Sequence, residues 1–135
     1  MKFATVLLFS LFLTCNLETP RAQEPLPTGT WGGKGMQLTV TQNGAGIDYG
    51  CDSGMIDGKL QTDSHGKFSA RGTHVFGRGG PRGPGDSSAK SHEARYEGVR
   101  NGDKLEITVL LPELNRNLGK FAVELGQRAT LERCG

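Results

Sequence analysis

Three histidines, three cysteines and a scatter of aspartates carry most of the chemistry this chain has to offer. His65 falls in the turn-like Asp63-Ser64-His65-Gly66, His92 sits where an alternating run begins, and His74 shares one face with Phe68, Ala70, Gly72 and Phe76. A metal site needs three or four ligands converging within about 2.3 Å of the ion, and no spacing here suggests such a set. A buried imidazole must instead find a partner for each ring nitrogen, so His74 reads as an interior histidine. Asp48, Asp52 and Asp57 lack the spaced oxygens and closing glutamate of an EF-hand loop and read as solvated carboxylates. Ser53 and Ser69 lie outside any Gly-x-Ser-x-Gly elbow. The segment from Arg78 to Lys90 holds four glycines and two prolines. It leads into an extended run, whereas a phosphate-binding loop opens a helix. Its Arg78, Arg82 and Lys90 keep a polar loop soluble, with contact to an anionic ligand as the alternative. The chain therefore reads as a non-enzyme, with no cofactor and no metal expected.

Composition limits the elements that hold these residues. The chain has 135 residues, 21 of them glycine, and a formal charge of +2. Lys2 followed by the apolar run from Phe3 to Thr14 has the order of a secretory signal. At 1.5 Å per residue a helical run of this length reaches about 18 Å, short of a hydrocarbon core of about 30 Å. Residues 1–22 are thus expected to be a signal peptide cut after Ala22, releasing a periplasmic or secreted protein. The alternative is lipidation at Cys15, which ends the apolar run. Every glycine lies beyond position 22, close to a fifth of the remaining chain against a usual 7% or so. That argues against a helical bundle, since an interior glycine costs about 1 kcal/mol relative to alanine. Near-neutral charge removes the field that non-specific nucleic-acid binding needs. The length allows one domain, with no transmembrane segment and a monomer expected. Cys51 and Cys134 remain as a lone pair, which in an oxidising compartment forms a disulfide.

Residues 23–28 read as a flexible, proline-bearing leader to a single domain over 29–135. Beyond it the hydrophobic period is two. Met36, Leu38 and Val40 alternate with polar residues, Asn43-Gly44 turns, and Ile47, Tyr49 and Cys51 share the next inward face. Asp52-Ser53-Gly54 turns again, followed by Ile56, Gly58 and Leu60. After the turn at 63–66, residues 68–76 form a fourth strand, with Gly58 and Gly72 at inward positions where a sheet must bend. Ala94 and Tyr96 lie on a fifth strand beyond the 78–90 loop. Leu105, Ile107, Val109 and Leu111 line the next, which Pro112 ends. A turn over Asn115 to Gly119 precedes Phe121, Val123 and Leu125, and a last strand is expected near Ala129 to Arg133. About eight short strands joined by tight turns predict an all-β, up-and-down antiparallel meander closing into a small barrel. An immunoglobulin-like sandwich fits poorly, because Trp31 precedes both cysteines.

Gly29-Thr30-Trp31 precedes the first predicted strand and resembles the Gly-x-Trp with which lipocalin and related calycin barrels begin. A Thr-Asp-Tyr second motif is absent, so the resemblance is to lipocalin-like small exported bacterial barrels. It implies that Trp31 plugs one end, with a basic residue of the last strand stacked on it: Arg133, or next Arg128. Tyr49-Gly50-Cys51 is also similar to the Tyr-x-Cys of small exported inhibitors of C-type lysozyme. Ala94-Arg95-Tyr96 matches the end of their Ser-Gly-x-x-Tyr loop, with His92 and Glu93 where Ser and Gly would stand.

Two expectations of function follow. The first is a non-catalytic binding module for a small apolar or amphipathic ligand, held at the barrel mouth among Tyr49, Phe68, His74, Phe76 and Tyr96. The second is a cell-envelope protein that meets another protein, as an inhibitor does. An eight-stranded lumen is just wide enough for packed side chains or one small ligand, so the filling of the interior discriminates between them.

Overall fold

The computed structural model describes residues 24–77 and 90–134. The expected signal peptide, Cys15, and nearly all of the 78–90 loop lie outside the described residues. The strands in chain order are β1 (Glu24–Pro25), β2 (Gly29–Gly33), β3 (Met36–Thr41), β4 (Gly44–Asp48) and β5 (Ser53–Asp57). They continue with β6 (Gln61–Thr62), β7 (Lys67–Val75), β8 (Ser91–Asn101), β9 (Lys104–Leu111) and β10 (Arg116–Leu125). Eight of them form a closed antiparallel barrel in the order β10-β2-β3-β4-β5-β7-β8-β9, while β1 and β6 pair apart from it. The predicted all-β closed meander is the fold observed. Among the described residues the only helical element is one 3₁₀ turn at Pro112–Leu114, and no helix is long and apolar enough to cross a membrane.

Alternation accounts for the wall. β3 buries Met36, Leu38 and Val40, and β9 buries Leu105, Ile107, Val109 and Leu111. Successive side chains of a strand point to opposite faces, so these rows meet inside the barrel. Trp31, Met36, Leu38, Tyr96, Ile107, Val109 and Leu111 retain no exposed surface. Burying each such side chain contributes roughly 1.5–3 kcal/mol.

Closure uses a different strand from the one expected. Residues 129–133 form no strand; they make only an isolated parallel bridge, Thr130 to Lys34. The eighth strand is β2, whose Trp31, Gly32 and Gly33 pair with Leu125, Glu124 and Val123 of β10. Gly33 permits this seam, because a Cβ there would overlap the Ala122 carbonyl oxygen. The C-terminal residues instead run as a strap up the outside of β2. The Gly126 amide donates to Thr30 O, the Thr130 amide to Gly33 O, and the Gly35 amide to Thr130 O. The strap passes Gly32 and Gly50, where a Cβ would strike the carbonyls of Gln127 and Glu132. It ends at the Cys51–Cys134 disulfide, with Cα atoms 5.0 Å apart.

Other local expectations shift. β4 ends at Asp48 and the chain turns at once, with the Tyr49 amide donating to Asp52 O. Tyr49 therefore tucks inward from a turn, and Cys51 is exposed, not inward. β5 ends at Asp57, so Gly58 is an exposed turn residue at φ +80° and not a bend on an inward face. Gly72 does serve close approach: a Cβ there would overlap the Met55 carbonyl oxygen across β5. The turn before β10 is at 112–115, where Asn115 adopts φ 48°, and the 117–119 stretch is a bulge inside β10.

The leader is docked. Leu26 is 3% exposed and its amide donates to Leu60 O, while Pro27 O accepts from the Trp31 indole at 3.1 Å. Leu26, Leu60, Trp31 and Phe68 thereby close one end, called here the leader end. Nearby, the Asp63 carboxylate accepts from the amides of His65 and Lys67 at 2.8 and 2.9 Å. Those amides, Lys67 first, hold its carboxyl below the usual range. A depressed native pKa contributes stability that is present above the unfolded value and is lost as pH falls through the native one. Asp63→Ala is expected to lower the urea midpoint at about pH 7, with the gap from wild type narrowing by about pH 3. A gap independent of pH would show that the carboxylate charge is not what the turn uses.

Candidate functional site

The opposite end, reached by the turns at 34–35, 49–52 and 112–115, carries the polar and aromatic side chains. Alternation along β7 puts His74 on the inward face and Phe76 two residues further along. His74 is the cross-strand partner of His92 on β8, and cross-strand partners project to the same side. The turn after β4 folds Tyr49 in beside them, and β10 supplies Phe121. The rings form a continuous edge-to-face row. Phe121 to Tyr49 is 5.5 Å between centroids, Tyr49 to His74 5.0 Å, His74 to Phe76 4.8 Å, and Phe76 to His92 5.5 Å. Such contacts are worth about 0.5–1.5 kcal/mol beyond area burial. The Arg116 guanidinium lies 5.4 Å from the Phe76 centroid.

Asp52 organises the row from the turn. One carboxylate oxygen accepts from the Gly77 amide at 2.9 Å and the other lies 3.1 Å from His74 Nε2. A carboxylate only accepts, so in the neutral ring Nε2 carries the proton and Nδ1 presents a lone pair. His74 is wholly buried, and among the described residues neither its Nδ1 nor the buried Tyr49 hydroxyl has a hydrogen-bond partner. The Tyr96 hydroxyl donates to Thr73 O at 2.6 Å. Burial, with the Tyr96 hydroxyl and the Asp52 charge adding to it, pushes the Tyr49 phenol above its ordinary range. Burial also pushes Tyr96 up to about 12. Both phenols are therefore neutral hydroxyls in ordinary aqueous conditions.

Of the five residues predicted to meet a ligand, Tyr49, His74, Phe76 and Tyr96 gather at this end. Phe68 sits at the other, its ring over Gly98. Trp31 is buried at the leader end, Arg133 is exposed beyond β10, and the cation–π contact among the described residues is Arg116 over Phe76. The stretch matched to the lysozyme-inhibitor loop is interior β8, with Tyr96 wholly buried. Phe121 and Arg116 are not among the sequence candidates for this site, and Asp52, read there as a solvated carboxylate, instead bonds His74 and the Gly77 amide. Phe121 alone left a signal, its place in an alternating run.

The Asp52–His74 pair has the form of two members of a hydrolytic triad, but such a pair works only on a nucleophile bonded to the free nitrogen. No described side chain bonds Nδ1. Among the described residues no three His, Cys, Asp or Glu converge as metal ligands. A cleft of about 660 Å³ lies on the outer wall near Lys67, Glu97, Glu106 and Lys120, and another of about 620 Å³ near Gly33, Lys104 and Ala122. Comparison of the chain with known protein families, curated proteins and solved structures returns no match.

Proposed function

We propose that this chain is an exported, lipocalin-like, non-catalytic binding module that holds a small amphipathic molecule at its disulfide-bearing end. The row Phe121–Tyr49–His74–Phe76–His92, topped by Arg116, carries the reading. It offers half-buried apolar faces beside buried polar atoms, the usual make-up of a small-molecule site. Large side chains pack the lumen below it, which counts against a ligand held inside the barrel and confines the proposal to the mouth. Native mass spectrometry of the protein purified from its own host tests this. Wild type is expected to retain a small molecule. Phe76→Ala and Phe121→Ala should each retain about tenfold less, the worth of roughly 1.4 kcal/mol of aromatic contact. An apo mass for wild type would overturn the proposal.

The same packed lumen favours a second reading, in which this end docks a cell-envelope protein. A clean apo mass together with a stoichiometric complex with one envelope protein would establish that reading in place of the first.

A further inference from the structure

The two polar atoms left without partners at this end, His74 Nδ1 and the Tyr49 hydroxyl, specify what the bound molecule must present. We propose that the ligand is a phenol or a closely related hydroxylated aromatic, whose neutral hydroxyl donates to His74 Nδ1 and accepts from the Tyr49 hydroxyl. The inference rests on the binding reading above and narrows it to a chemical class.

The donors and acceptors leave little choice. Asp52 accepts the hydrogen bond from Nε2–H, so in the neutral ring the remaining nitrogen accepts. Tyr96 spends its only proton on Thr73 O, so it cannot donate to Tyr49. Its oxygen stands near enough to raise the Tyr49 phenol, yet no bond between the two hydroxyls meets hydrogen-bond geometry. What remains is one buried acceptor and one buried hydroxyl on rings in edge contact at 5.0 Å. A single hydroxyl group serves both atoms. A carboxylate has no proton for Nδ1, and an ammonium has no lone pair for Tyr49. A purely apolar molecule would leave both atoms unpaired, and leaving buried polar groups unpaired is how a site rejects an analogue that lacks the hydroxyl. The neighbouring surfaces are the rings of Phe76 and Phe121, each half-buried, which suit a flat aromatic body in offset or edge contact. Entry requires those two rings to move aside, because the polar atoms are covered in the free protein. Phe76 lies just beyond the end of β7, where no ladder bond fixes it.

Phenol, toluene and benzoate, titrated separately into the oxidised protein and followed by NMR of the aromatic and glycine amide signals, test the proposal. Phenol is expected to shift Tyr49, His74 and Phe76 resonances and to bind at least about tenfold more tightly than toluene or benzoate. Tyr49→Phe removes one oxygen and should cost phenol about tenfold while leaving toluene unchanged. His74→Leu should bring phenol and toluene to within about twofold of each other. Toluene or benzoate binding as well as phenol at these residues would overturn the hydroxyl inference and leave the mouth-binding reading standing. No shift of the cluster with any of the three probes would overturn the hydroxyl inference, and an apo native mass of wild type would overturn the mouth-binding reading with it.

Discussion

Gly72→Ala is expected to destabilise the barrel by about 3 kcal/mol, lowering the thermal midpoint by on the order of 10 °C. The change adds one methyl group, and alanine normally gains a little by restricting the unfolded chain. Here the methyl meets the Met55 carbonyl oxygen, a backbone atom held by the pairing of β5 with β7. It cannot swing away as a side chain would. The strands must separate locally, and the ladder bonds between Ile56 and Gly72 and their neighbours weaken with them. Gly46 on β4 supplies the control, since a Cβ there has nothing within 4 Å. Gly46→Ala should be neutral or slightly stabilising, by up to about 0.5 kcal/mol. Paired thermal melts of the two variants decide the matter: equal midpoints would mean that close approach at Gly72 is not what glycine provides.

Removing the disulfide should cost a similar or larger amount. The double variant Cys51→Ser with Cys134→Ser is expected to lose roughly 4 kcal/mol, because the bond closes a loop across a sequence separation of 83 residues and restricts the unfolded chain. Part of the loss should also be visible as local opening. The strap beyond β10 is held by few backbone bonds, chiefly those of Gly126 and Thr130. Without its covalent end, the Gly35 and Thr130 amides should exchange with solvent faster than those of β8 and β9. Urea unfolding read by tryptophan fluorescence gives the global term, since Trp31 is buried at the other end of the barrel. Hydrogen exchange gives the local one. An unchanged urea midpoint would refute the stapling role, and unchanged exchange at Gly35 and Thr130 would mean the strap holds without the bond.

The barrel was legible in the letters where its cues are local. Period-two alternation and turns at Asn43-Gly44 and Asp63–Gly66 place most of the wall. Gly29–Gly33 was harder to see as a strand, because Gly-Thr-Trp-Gly-Gly carries one large apolar side chain and no alternation. Its role rests on backbone approach to β10, and local sequence does not encode that partner. Conversely, Ala129, Leu131 and Arg133 alternate correctly for a strand, yet the barrel is already closed by β2 and only the outside is left to them. The candidate site shows the same division. Alternation identified the face shared by Phe68, His74 and Phe76, but not the height along it. Six residues of strand separate Phe68 from His74, roughly 20 Å, and that puts them at opposite ends. Asp52, Phe121 and Arg116 join the others only through pairings across the barrel.

The seam between β2 and β10 also sets an order of events in time. Each hairpin from β3 onward can form once its two neighbouring strands exist. The seam joins Trp31 to Leu125, so it must wait for almost the whole chain. Such non-local pairing is slow, because loop-closure entropy must be met before the contact contributes. Until then both β2 and β10 present open strand edges, the surfaces through which chains associate wrongly. The strap follows the seam, and Cys134 reaches Cys51 only when the strap lies in place. A Cys51–Cys134 bond formed after that step locks a sheet whose edges are already paired.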